Sequence, residues 1–137
     1  FSVRTKAHDG TTADAALASK ADCVICDVPC SGMGVLGKKP DMRYKSAESF
    51  SALPPLQSQI LEQAFTYLKE GGRLLYATCT VLKEENEGVV NAFLEAHRDA
   101  HLVPFAIGGL EAENGMLTLY PHRHQTDGFF IALLERI

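Results

Sequence analysis

The chain has no apolar run long enough to cross a bilayer and no signal-peptide pattern, so no membrane is expected among its partners. It also lacks an excess of basic charge. Thirteen Lys and Arg against 17 Asp and Glu leave a formal net charge of −4, which argues against a broad electrostatic footprint on nucleic acid. A local basic patch is the remaining route, and Lys38, Lys39, Arg43 and Lys45 form one. Cysteine is scarce. Four cysteines without an export pattern point to free thiols in a reducing compartment, the cytoplasm, rather than to a disulfide framework. Repeats and low-complexity tracts are absent, and 137 residues of ordinary hydrophobic content suffice for one domain with a core. An initiator Met is absent too. The chain opens on Phe1 inside what reads as a strand end, and it is expected to be a piece of a longer protein.

What is present alternates between strand and helix patterns. Residues 1–6 read as the end of a strand and the Ala-rich residues 12–19 as a short helix. Residues 22–28 read as a buried strand stopped by Pro29. Residues 31–51 carry Gly, Pro and charge, so they read as a long loop with one helical turn. Residues 53–69 form the clearest helix: Leu56, Ile60, Ala64 and Leu68 share a face, Pro54 and Pro55 suit the first turn, and Gly71-Gly72 suits a left-handed cap. A strand over 73–78 and a helix over 83–97 follow, with Glu84, Glu85 and Glu87 set to complement the helix dipole. Residues 101–105, 116–120 and 128–135 read as strands, the last two pairing antiparallel. This order predicts an α/β fold with a mainly parallel, doubly wound sheet and an antiparallel C-terminal edge. The sheet as written looks short of its first βα units. An uncovered strand edge is expected to favour self-association.

Several motifs compete for a functional reading. Gly32-Met33-Gly34-Val35-Leu36-Gly37 matches G-x-G-x-x-G, but Pro40 follows too soon for the helix a dinucleotide fingerprint must open. Its glycines instead suit a loop that turns tightly beside a ligand. Cys23 and Cys26 match C-x-x-C, and Cys30, His122 and His124 would complete a zinc set. Residues three apart on a strand face opposite ways, so Cys23 and Cys26 are expected in the core and no metal is expected. His97, His101, His122 and His124 read as surface residues.

Cys30 and Cys79 differ, because each lies just past a strand end among small or polar residues. In an α/β sheet the carboxyl ends of strands form the ligand-binding edge. Two thiols there suit chemistry on an electrophilic ring better than a disulfide or a metal. A helix beginning near Lys83 would favour the thiolate at Cys79. Each thiol is either catalytic or buried and structural. Asp27 is either a working carboxylate or a loop cap, and Asp9, before Gly10, carries the same two readings.

Asp27-Val28-Pro29-Cys30-Ser31-Gly32-Met33-Gly34 resembles the D-A-P-C-S-G-x-G motif of the Sun family of RNA 5-methylcytosine methyltransferases, which also contains the Nol and Nop proteins. Val28 stands where Ala is usual. Lys39-Pro40-Asp41-Met42-Arg43-Tyr44 resembles the family's basic-P-D-x-basic-aromatic continuation. Leu56-Gln57 with Gln59-Ile60-Leu61 resembles its L-Q-x-x-I-L helix. Tyr76-Ala77-Thr78-Cys79-Thr80 with Glu84-Glu85-Asn86-Glu87 resembles Y-A/S-T-C-S/T…P-E-E-N-E, with Lys83 at the Pro position. Pro121-His122 and Asp127-Gly128-Phe129-Phe130-Ile131-Ala132 resemble the closing P-H…D-G-F-F-x-A strand. Within the family the pattern is closest to the bacterial small-subunit ribosomal RNA methyltransferase B branch.

The resemblance implies a Rossmann-like methyltransferase fold, S-adenosylmethionine as cofactor and RNA, 16S ribosomal RNA, as partner, in a monomeric parent. It implies that this chain is the C-terminal portion of one catalytic domain, inactive alone, with the glycine-rich cofactor loop and an RNA-binding region lying before it. Among site residues it implies Cys79 as the attacking thiolate, Cys30 as the residue of product release and Asp27 as the holder of the cytosine ring. Asp9, Asp27 and Pro29 would lie against the cofactor, and Lys38, Lys39 and Arg43 against RNA phosphates. DNA cytosine methyltransferases attack from the Pro-Cys position, so the two thiol roles rest on the family pattern. A non-catalytic RNA- or partner-binding scaffold is the alternative reading, and a zinc module the third.

Overall fold

The computed structural model describes residues 2–137. Its elements, in chain order, are β1 (Ala21–Asp27), α1 (Leu53–Thr66), β2 (Leu68–Thr78), α2 (Glu87–Ala96), β3 (Ala100–Leu102), β4 (Phe105–Ile107), β5 (Leu110–Ala112), β6 (Met116–Leu119), α3 (Pro121–His124) and β7 (Phe129–Arg136). Two 3-10 turns, Pro40–Tyr44 and Ala47–Phe50, lie in the loop after β1. The α/β class with antiparallel C-terminal strands is as expected. β1 and β2 are the parallel pair, joined through α1. β7 then runs antiparallel to β2, and β3 and β6 pair with different halves of its far edge. A small hairpin of β4 and β5 stands apart. No helix among the described residues is long and apolar enough to cross a membrane.

Both long helices cover one face of the sheet. Leu61, Ala64 and Phe65 of α1 and Val89, Val90 and Phe93 of α2 meet Cys26, Leu74, Tyr76, Phe130, Ala132 and Leu134 from the strands. Phe65 and Phe93 pack edge to face with centroids 5.1 Å apart. Each large side chain buried this way contributes about 1.5–3 kcal/mol. Period-two alternation turns Cys23, Ile25 and Asp27 to the other face, where all three are exposed. Cys23 is therefore not a core residue, and Cys26 alone of that pair is.

Five further expectations are corrected. Residues 2–9 form no strand, and Phe1 lies outside the described residues. Residues 12–19 form turns, because side chains capture the backbone donors a helix needs. Asp9 Oδ1 accepts from the Thr11 N–H and Asp14 Oδ1 from the Ala16 N–H. Gly71-Gly72 does not cap α1. The helix stops at Thr66 and β2 starts at once, with Ala21 opposite Leu68 and Cys23 opposite Arg73. Gly71, at φ +73°, sits in the resulting bulge. α2 starts at Glu87 rather than Lys83, because Asn86 is non-helical and its side chain is bound to the Cys79 loop. The strand expected over 101–105 ends at Leu102, and Phe105 belongs to the β4–β5 hairpin.

Candidate active site

Because β1 and β2 are parallel neighbours, with Asp27 opposite Ala77, their carboxyl ends open on one edge. The chain beyond each carries a cysteine, and the two meet there. Cys30 Sγ and Cys79 Sγ are 2.9 Å apart, both free, and the Cys79 N–H donates to Cys30 Sγ at 3.3 Å. Burial pushes the Cys30 thiol up to about 12, and its hydrogen bond with the Cys79 thiol adds to the shift. Cys30 therefore keeps its proton, and the two sulfurs share one hydrogen bond. α2 begins at Glu87 rather than near Lys83, and its N-cap Asn86 is hydrogen-bonded to Thr78 and Thr80 on either side of Cys79.

Both loops are held by a dense polar network. The Gly34 N–H donates to the Cys79 carbonyl at 3.0 Å, and the Gly128 N–H to the Gly34 carbonyl at 2.8 Å. These contacts tie the Cys30 loop, the Cys79 loop and the start of β7 into one unit. No helix opens after Gly32, so the rejection of a dinucleotide fingerprint holds. Glu85, expected to complement the helix dipole, is 1% exposed, and its Oε2 accepts from the Ser31 N–H and Gln57 Nε2. The Ser31 and Thr80 hydroxyls bridge the two loops at 2.9 Å. Gln57, Glu85, Asn86, Ser31 and Thr80 were missed by the sequence reading as site residues. Gln57 carries a signal: with Leu61 and Ala64 it lies on the buried stripe of α1, where a polar residue needs a partner.

Two openings lie along β1 and just past its end. One, of about 370 Å³, is lined by Cys30, Ser31, Lys45, Ser46, Ser49 and Phe50. Lys45 thus reaches the cysteine cleft, although the sequence reading placed it only in the basic patch. The other, of about 310 Å³, joins His8 and Gly10 to Asp27, Ile60 and Tyr67. The segment carrying Asp9 and the end of β1 therefore share one opening. Asp9 accepts from the backbone and hydroxyl of Thr11, which holds its carboxyl below the usual range and ionised. Asp27 presents an exposed carboxylate, and the Pro29 carbonyl accepts from Gln57. Lys39 and Arg43 are exposed along the following loop, but Lys38 is paired with Asp127 at 2.5 Å.

This arrangement provides a hydrogen-bonded thiol pair, with Cys30 lining an open cleft and the Asp27 carboxylate at a second opening. The family described as 16S rRNA methyltransferase RsmB/F matches residues 2–135. Ribosomal RNA small subunit methyltransferase F of Serratia proteamaculans is 38% identical over 93% of this chain and 28% of its own length. Ribosomal RNA small subunit methyltransferase B of Xanthomonas campestris is 40% identical over 82% of this chain and 26% of its own length. Among solved structures, NSun6 from Pyrococcus horikoshii with SFG is similar at TM-score 0.69 and 33% identity, covering 82% of this chain and 29% of that one. The chain thus spans about a quarter of the length of the curated relatives it matches.

Proposed function

The chain belongs to the 16S rRNA methyltransferase RsmB/F family, and from that premise we propose that its protein methylates C5 of a cytosine in RNA, 16S ribosomal RNA, through a cysteine adduct. The observation that carries the reading is the pair of thiols 2.9 Å apart at the sheet edge. The chain is then the C-terminal portion of one methyltransferase catalytic domain, working in the cytoplasm.

Cytosine C5 is a weak nucleophile. Addition of the Cys79 thiolate to C6 pushes electron density onto C5, which splits one hard step into easier ones. S-adenosylmethionine, when bound, supplies the electrophilic methyl group. Its ribose hydroxyls and amines suit the acceptor Asp27, which lines the 310 Å³ opening, and Asp9, whose neighbours His8 and Gly10 line it, with Pro29 two residues past Asp27. Asp27 then also holds the cytosine ring, which must be flipped out of its stack. After methyl transfer a base takes the C5 proton, the C6–S bond breaks and the electron pair returns to Cys79. The Cys30 thiol lies within hydrogen-bond distance of that departing sulfur and assists its release by hydrogen bonding to it. Lys39 and Arg43 face the RNA phosphates, and Lys38 joins them by exchanging Asp127 for a phosphate.

The test uses the full-length protein, ribosomal RNA and methyl-labelled S-adenosylmethionine, with the RNA digested to nucleosides. The expected label is in 5-methylcytidine. Label on a ribose, on the cytosine amine or on another base overturns the proposal.

A further inference from the structure

We propose that Gln57, Glu85 and Asn86 are positioning residues that set the separation of the two thiols, and through it the step that depends on Cys30. The inference rests on the reading of Cys79 and Cys30 as the reacting pair.

The Cys30 segment leaves the sheet ladder after Val28, whose N–H is bonded to the Ala77 carbonyl. From there side chains hold it. Gln57 Nε2 donates to the Pro29 carbonyl at 3.0 Å, and the Ser31 N–H donates to Glu85 Oε2 at 2.9 Å. The peptide groups on both sides of Cys30 are thus gripped from α1 and from the turn before α2. Gln57 Nε2 also donates to Glu85 Oε2 at 2.8 Å, so the two grips are one clamp.

The next residue, Asn86, does the same for the other thiol. Its Oδ1 accepts from the Thr78 hydroxyl at 2.6 Å and its Nδ2 donates to the Thr80 carbonyl at 3.0 Å, which brackets Cys79. Adjacent residues on one turn therefore hold one cysteine segment each, and the Ser31–Thr80 hydroxyl bridge closes the frame between them. All of these side chains are 2% exposed or less. Hydrogen bonds that dry are strong and directional. Glu85 Oε1 and Gln57 Oε1 find no partner among the described residues, a desolvation cost that apolar residues at these positions avoid. A frame retained at that cost is explained by the geometry it fixes.

An aromatic disulfide reagent, dithiobis(nitrobenzoate), reads that geometry in the full-length protein carrying Cys23→Ser, which removes the exposed thiol of this segment, with any exposed cysteine elsewhere also replaced by Ser. The first thiolate attacks one sulfur of the reagent, forms a mixed disulfide and releases one aryl thiolate. The second cysteine loses its proton and attacks the protein sulfur of that mixed disulfide. A Cys30–Cys79 bond forms and a second aryl thiolate leaves. The ratio of second to first release rates reports the thiol separation.

In Gln57→Ala and Glu85→Ala the ratio is expected to fall by at least about tenfold, the scale of losing near-attack placement. In Thr80→Val, near-isosteric but without the hydroxyl, it falls by roughly threefold. Glu85→Gln keeps an accepting oxygen in place and stays within about twofold of the parent. A merely structural role lowers the urea midpoint and leaves the ratio unchanged in the folded variants. That result overturns the proposal, and if Glu85→Ala does not fold, Gln57→Ala and Thr80→Val decide. The assay needs neither RNA nor cofactor. Unchanged ratios therefore sink the positioning claim alone, while a full-length protein that never makes 5-methylcytidine sinks the catalytic reading alone.

Discussion

Replacing Gly34 by Ala tests the packing that brings the two cysteine loops together. An added Cβ would lie 2.0 Å from the Gly128 carbonyl oxygen, 2.6 Å from its carbon and 2.7 Å from the Cys79 carbonyl oxygen. All three are backbone atoms, so no rotamer relieves the clash. The loops must part, straining the hydrogen bonds from Gly34 to Cys79 and from Gly128 to Gly34. Overpacking of this kind costs about 1–3 kcal/mol and each lost hydrogen bond about 1 kcal/mol, giving about 3–5 kcal/mol in all. That is a large share of an ordinary domain's stability of about 5–15 kcal/mol. Gly37→Ala in the same loop is the control. Its Cβ meets nothing within 4 Å. It is expected to change stability by under about 0.5 kcal/mol, on the stabilising side through loss of unfolded-state entropy. Urea unfolding with an unchanged slope measures both. A Gly34→Ala protein within about 0.5 kcal/mol of Gly37→Ala refutes the close-approach argument, since that is the scatter of a neutral surface change.

Alkali should weaken the fold in a defined window. Burial, with a smaller contribution from the Asp27 charge, pushes the buried Cys26 up from 9.0 to about 12, and burial first pushes Cys30 likewise. The unfolded chain then loses these protons before the folded one does. Their stability contribution is full below pH 9 and is lost as pH rises toward 12. The urea midpoint is expected to be flat up to pH 9 and to fall above it; a midpoint that rises there contradicts the assignment. Tyr76→Phe tests the turn before α2. The Tyr76 hydroxyl, fully buried, donates to the Glu85 carbonyl at 2.7 Å. Its loss should cost about 1–2 kcal/mol, and a change under about 0.3 kcal/mol by urea unfolding would show that this bond does not hold the turn.

The sheet and α1 were legible because their signals are local. An apolar run stopped by Pro29 makes β1, a repeating face makes α1, and alternating residues around Phe130 and Ala132 make β7. The errors arose where side chains took backbone donors. Asp9 and Asp14 did so in residues 9–19, and Asn86 delayed the start of α2. Gly71-Gly72 was misread because a bulge and a helix cap favour the same residue. The positions of Cys30 and Cys79 past two strand ends were also legible. Their contact distance was not, because it depends on Glu85, which in sequence looks like any acid at a helix start. The partner of Lys38 was equally hidden, since Asp127 comes from the far end of the chain.

The most direct test of the central claim is trapping of a denaturant-stable protein–RNA adduct in the full-length protein, comparing Cys30→Ala with Cys79→Ala. With Cys79 as nucleophile and Cys30 as the residue of release, Cys30→Ala accumulates the adduct and Cys79→Ala forms none. An adduct that forms in Cys79→Ala and disappears in Cys30→Ala contradicts the account and makes Cys30 the attacking thiol.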